Sequence, residues 1–119
     1  MAYQKPHGKF VRRDEAEIVV NGGNTIATLL AEAETAGRFA VRDLIAAPGA
    51  APVPQLPIAD NRYIFVVAGE WEIQAGSESR IVRDGMAIFV PAGTVYAARL
   101  AGAKEGRLLE ITAPIAQSG

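Results

Sequence analysis

Five polar side chains, Arg42, Gln55, Arg62, Tyr96 and Glu110, stand in or beside otherwise apolar runs of this chain. Their types belong to binding and proton transfer. A guanidinium fork such as that of Arg62 grips a carboxylate, phosphate or enolate through two parallel hydrogen bonds. A phenol such as Tyr96 hydrogen-bonds an oxygenated ligand or exchanges a proton with it, and proton transfer near neutrality calls on Glu110 or on a perturbed Tyr96. Gln55 adds an amide, and Trp71, the single tryptophan, is a flat surface on which a sugar or an aromatic ring can stack. Three of these residues lie in two glycine-anchored series with fixed spacing. One runs Gly49, Gln55, Pro57, Arg62, Gly69 and the other Gly85, Pro91, Gly93, Tyr96, Leu100.

Each residue also has a plainer explanation. Arg62 and Glu110 can form a buried ion pair that fills a polar space with no ligand in it. Glu110 interrupts an apolar final strand, so it is either an inward carboxylate or a solvated position. A tyrosine near a barrel mouth is more often packing with its hydroxyl satisfied, and a lone tryptophan is more often core or interface.

The elements that must position these groups are short strands. Ile18-Val19-Val20 is stopped by Asn21-Gly22-Gly23-Asn24, and a second strand runs from Thr25 to Leu30. Ala27 to Ala36 has helix-forming composition but lies between turn signals, so a strand and a turn are expected there. Arg38 to Ala46 alternates, with Phe39, Val41, Asp43 and Ile45 on one face and Ala40, Arg42, Leu44 and Ala46 on the other. The segment 47–57 holds four prolines and Gly49, which suits an extended rim crossing and no central ladder. Tyr63 to Val67 is the clearest strand, and Trp71–Gln74 with Ser79–Val82 makes a hairpin around Ala75-Gly76-Ser77. Met86–Val90, Val95–Leu100 and Arg107–Thr112 complete the series. The pattern is all-β, a sandwich or barrel, without internal repeats.

Composition narrows the class. A chain of 119 residues suits one domain with a single core, and a formal charge of −1 with no basic stripe argues against nucleic acid. The absence of cysteine excludes disulfides and thiolate chemistry. No run approaches the roughly 18 apolar residues of a membrane helix, and the polar start Met1-Ala2-Tyr3-Gln4-Lys5-Pro6 lacks a signal-peptide core. A soluble cytoplasmic protein is the expectation. Residues 1–15 read as a charged tail and 16–119 as the single domain, with Lys9 to Glu17 a solvated edge whose charges nearly cancel.

The two series resemble the two motifs of the cupin superfamily at every offset, and the match from Ala47 to Leu100 is similar to a small quercetinase-like cupin. The resemblance implies a double-stranded β-helix, or jelly-roll barrel. In metal-bearing relatives three histidines and a glutamate point into the barrel and hold a divalent or redox metal. Here Gln55 and Pro57 stand at two histidine positions, Arg62 at the glutamate and Tyr96 at the last histidine. Arg62 puts a permanent positive charge where a cation would sit, a repulsion of about 4 kcal/mol per unit charge at about 4 Å and an effective dielectric of about 20. The only histidine, His7, lies in the tail and cannot rebuild such a site alone. No catalytic metal and no cofactor are expected.

In the family register Arg62, Ile64 and Val66 point inward, facing Tyr96, Ala98 and Leu100, with Gln55 at the same rim. Tyr63, Phe65 and Val67 then face outward and need a second layer or a partner, and a homodimer is expected. The resulting expectation is a metal-independent cupin that binds a small oxygenated or anionic molecule, with an isomerase, cyclase or dehydratase role if it is an enzyme. The alternatives are a non-enzymatic sensor or accessory protein and a packed scaffold. A metal-dependent dioxygenase is what the resemblance alone suggests and what the substitutions oppose.

Overall fold

A computed structural model describes residues 8–114, and at residues 54–56 the backbone only. Ten strands form two antiparallel sheets. They are β1 (Glu17–Asn21), β2 (Asn24–Leu30), β3 (Ala40–Ala46), β4 (Val53–Pro57), β5 (Asn61–Ala68), β6 (Glu70–Ala75), β7 (Glu78–Arg83), β8 (Ala87–Val90), β9 (Val95–Leu100) and β10 (Gly106–Ala113). The larger sheet is ordered β1-β2-β3-β10-β5-β8 and the smaller β4-β9-β6-β7. Among the described residues helix is limited to two single 3₁₀ turns, Arg13–Glu15 and Glu32–Thr35, and no helix is long and apolar enough to cross a membrane. The alanine-rich stretch after β2 therefore ends in a turn, as the flanking glycines require.

Period-two alternation sorts side chains between the sheets. On β5, Ile64 and Val66 are buried while Tyr63, Phe65 and Val67 are exposed on the opposite face. Ile73 of β6, Val82 of β7, Val90 of β8, Tyr96 and Ala98 of β9 and Leu108 of β10 meet them in one core. Removing these side chains from water is the main force that closes the two sheets on each other. The proline-rich segment forms β4 only as an edge of the smaller sheet, paired to β9 alone, where a missing N–H leaves no ladder partner unmatched.

One end of the sandwich is closed by backbone contact. A Cβ on Gly69 would lie 2.8 Å from the Gly106 Cα, and one on Gly106 would lie 2.8 Å from Trp71 Cζ2, so the indole occupies the space that side chains would take. Gly69 also has φ +96°, which L side chains rarely adopt.

The outer face of the larger sheet carries an unexpected buried charge. Asp43 is 0 % exposed and its carboxylate is held by Arg107, whose Nε donates to Oδ1 at 2.8 Å, and by Arg13, whose Nε donates to Oδ2 at 3.2 Å. Arg13 also donates to the Thr25 carbonyl at 3.3 Å. The segment before β1 is thus tied to the sheet, which corrects the expectation that Arg13 is simply solvated. Arg12 and Asp14 remain exposed and pair with each other.

Candidate functional site

Three central strands of the larger sheet, β3, β10 and β5, present polar residues on the inward face in a fixed lattice. Arg42 is the Cα partner of Glu110 and Glu110 of Ile64; one row on, Ala40 pairs with Thr112 and Thr112 with Arg62. Two-residue spacing along β10 puts Glu110 and Thr112 on the same face, beside the buried Leu108. From the opposite sheet β9 brings Tyr96 across the interior.

The tightest contact is between Tyr96 and Glu110. The phenol donates to Glu110 Oε2 at 2.8 Å, while Arg62 Nη1 stands 4.0 Å from Oε1 and the Arg62 guanidinium carbon lies 5.1 Å from the Tyr96 ring centroid. Tyr96 is 1 % exposed, and the Glu110 and Arg62 side chains are 12 % and 24 % exposed. The group therefore runs from a sealed phenol to a guanidinium that reaches solvent. Arg42 Nη1 donates to Thr112 Oγ1 at 3.3 Å. The Nε of Arg62 is buried with no acceptor among the described residues.

Burial pushes the Tyr96 phenol well above its ordinary value, and the charge and hydrogen bond of Glu110 push it further the same way; Arg62 opposes them. Tyr96 is thus a neutral hydrogen-bond donor at neutral pH. Of the two groups expected to move protons, the carboxylate of Glu110 is the one with an available lone pair.

The family model of the cupin domain matches residues 45–112, more than half of the chain. The chain is a cupin. Solved structures agree on the fold. A predicted oxalate decarboxylase from Thermotoga maritima superposes with TM-score 0.79 at 16 % identity, over 90 % of this chain and all of that one. KdgF from Halomonas sp. gives TM-score 0.76 at 18 % identity over 93 % and 97 % of the two chains. The polyketide cyclase RemF from Streptomyces resistomycificus gives 0.73 at 20 % identity over 94 % and 88 %. No curated protein sequence matches significantly.

In this cupin the residues at the expected metal positions do not fit a divalent cation. Arg62 contributes a cation and Tyr96 a phenol held protonated, and the neighbouring Glu110 carboxylate is already bonded to that phenol. Among the described residues no three His, Cys, Asp or Glu side chains converge. His7 and the Gln55 side chain lie outside the described residues. The backbone of Gln55 sits in β4, one residue before Leu56, the Cα partner of Tyr96.

The structure brings together Arg42, Arg62, Ile64, Tyr96 and Glu110, with Ile64 the apolar neighbour of Glu110. Glu110 is the inward carboxylate and is not solvated. Trp71 is not at this site. It is 1 % exposed, its indole N–H donates to the Ala68 carbonyl at 3.0 Å, and it packs at the Gly106 end of the sandwich, so no face is left for stacking. Thr112 joins these residues without being singled out by sequence alone; its only signal there is its position two residues after Glu110 in an alternating strand. A cleft of about 290 Å³ opens between the free edges of β7 and β8, over Ile73, Val82 and Ile88. Its lining charges, Glu78 and Arg80, pair with each other, so the groups with reactive potential remain those around Glu110.

Proposed function

We propose that this cupin binds a small oxygenated organic molecule at the Tyr96–Glu110–Arg62 group, with no resident metal at the position where metal-bearing cupins of the quercetinase-like type hold one. The observation that carries the reading is the 2.8 Å Tyr96–Glu110 hydrogen bond beside a guanidinium that, among the described residues, approaches a carboxylate no closer than 4.0 Å. Such a set complements an oxyanion or a polarised carbonyl and repels a cation. Arg62 orients the ligand and stabilises developing negative charge, and Tyr96 fixes the Glu110 carboxylate. Glu110 exchanges the proton that an isomerisation, cyclisation or dehydration requires. A polyketide cyclase is built on the same fold, which is compatible with this class.

The test is a ligand-observed NMR screen of small hydroxy acids, ketones and phenols with EDTA present throughout. Binding retained under EDTA and weakened about tenfold or more by Tyr96→Phe supports the reading. Hits that appear only when a divalent ion is added exclude it.

A second reading has its own support. Tyr96 belongs to the packed core, which suits a scaffold whose old site is closed. That reading expects no saturable ligand for the folded wild type.

The proposal includes a homodimer. Tyr63 and Phe89, with ring centroids 5.0 Å apart, share an exposed outer face with Phe65 and Val67. Light scattering that reports a monomer at micromolar concentration rejects this part of the proposal without affecting the ligand site.

A further inference from the structure

Among the described residues, the inward face around β10 holds two guanidinium groups against one carboxylate. Arg42 reaches it from β3 and Arg62 from β5, on opposite sides of the same strand. Glu110 is committed to the Tyr96 hydroxyl at 2.8 Å and stands only at the 4.0 Å limit from Arg62. Arg42 has no carboxylate partner among the described residues, and its one hydrogen bond, to Thr112 Oγ1, is long at 3.3 Å. Among the described residues, therefore, the positive charge of this face is not matched.

The second observation is the Nε of Arg62, a buried donor without an acceptor among the described residues. A buried donor left unmatched is destabilising, so a site that retains it has a use for an acceptor there. Thr112 is buried and is the Cα partner of Arg62, while Arg42 bonds its hydroxyl from the other side. Arg62 on β5 and Arg42 on β3 thus flank Thr112 from the strands on either side of β10. Two forks and a hydroxyl match the several lone pairs of one oxyacid group.

We propose that Arg42, Arg62 and Thr112 form an oxyanion cradle, so that the ligand of this cupin carries a carboxylate or phosphate group bound over β10, beside the part of the molecule that Glu110 addresses. The inference rests on the reading of the barrel as a metal-free small-molecule site and deepens it by naming the group the ligand must carry. It involves no bond making or breaking at the cradle. A carboxylate and a phosphate share the chemistry, and the cradle takes whichever fits the distance between the two forks.

The experiment titrates the intact chain with malonate and, separately, with inorganic phosphate, against sodium chloride at matched ionic strength. Thermal midpoint and the arginine Nε–H resonances in ¹⁵N NMR are followed. The expected result is a saturable rise in midpoint with one of the two anions, none with chloride, and a shifted Arg62 Nε–H. Malonate and phosphate identify which class is preferred. Arg42→Met and Arg62→Met should each weaken that binding about tenfold or more, and Arg42→Lys, which keeps the charge without the fork, should restore only part of it. Anion binding that survives both methionine substitutions overturns the cradle while leaving the pocket reading standing. No saturable response to either anion, with the wild type folded, also overturns it. Loss of neutral oxygenated ligands in the EDTA screen, with anion binding retained, instead counts against the proposed function alone.

Discussion

The guanidinium of Arg62 lies 5.1 Å from the centroid of the Tyr96 ring while the hydroxyl of that ring donates to Glu110 at 2.8 Å. One phenol therefore holds the anion by its hydroxyl while its ring lies against the cation. Their remaining gap is 4.0 Å, too long for a bidentate pair. The cation–π contact contributes about 0.5–2 kcal/mol and holds the fork near, but not on, the carboxylate. This is what keeps the group from being an ordinary buried salt bridge.

Replacing Tyr96 with Phe preserves the core volume and deletes the hydrogen bond. A bond to a charged acceptor is worth about 1.5–3 kcal/mol, so denaturant unfolding should show a loss within that range. A loss below about 0.5 kcal/mol would mean that Glu110 finds a full replacement partner, and the arrangement described above would not hold.

Alkaline pH tests the same phenol independently. The Tyr96 proton is held in the folded state beyond its unfolded value of about 10. The stabilisation from this raised value is complete below about pH 10 and is lost as pH rises from there through the folded value, because the unfolded chain ionises first. Tyrosinate absorbance of the native protein should include a late phase that is missing in Tyr96→Phe. Stability should fall more steeply above about pH 10 in the wild type than in Tyr96→Phe. Parallel curves for the two proteins would refute the assignment.

Arg62→Met removes a buried donor that lacks an acceptor among the described residues and a charge that is only loosely paired. The thermal midpoint should hold or rise, since a methionine of similar length fills the space without the desolvation cost. Ligand and anion affinity should fall about tenfold or more at the same time, the trade expected of a residue kept for function. A drop in stability of about 3 kcal/mol or more, measured by urea titration, would mean that the pair with Glu110 is structural after all.

Most of the fold was legible because it is written in local signals. Turns at Gly22-Gly23, Gly76 and Gly93 bound strands whose alternation already placed Ile64 and Val66 inward and Tyr63 and Phe65 outward. Arg62, Tyr96 and Glu110 were legible as types at set positions. Their mutual geometry was not, since whether Glu110 bonds the arginine or the phenol depends on angstrom-scale packing across two sheets. Trp71 misled for a related reason. Nothing in its neighbourhood in sequence reveals that Gly106, thirty-five positions on, leaves space for the indole. Asp43 was equally hidden, because its partners Arg13 and Arg107 come from the two ends of the chain.

The closed end makes its own prediction. A Cβ added at Gly106 would approach Trp71 Cζ2 to 2.8 Å and Cε2 to 2.9 Å, with the side chain of Leu100 closer still. Gly106→Ala should cost about 1–3 kcal/mol by overpacking and should shift the tryptophan fluorescence. Ligand affinity should be unchanged, because the Tyr96–Glu110 group lies toward the other end of β9 and β10. A destabilised protein that also loses ligand would mean the two ends are coupled.

Asp43 predicts an asymmetry between two ways of breaking one cluster. Its carboxylate is fully buried, while the side chains of Arg13 and Arg107 are 26 % and 44 % exposed. Removing the carboxylate leaves two arginines that can turn to water, and Asp43→Ala should cost about 1–3 kcal/mol. Removing both arginines leaves a buried charge without a partner, and the Arg13→Ala, Arg107→Ala double variant should cost about 3–5 kcal/mol. The single Arg13→Ala variant should lie between the wild type and the double variant and release the segment ahead of β1, seen as faster amide exchange in β1 and β2. Urea unfolding of the three proteins decides the matter. Equal costs for Asp43→Ala and the double variant would mean that water enters around Asp43 once its partners are gone, and that the outer face is less well sealed than its 0 % exposure implies.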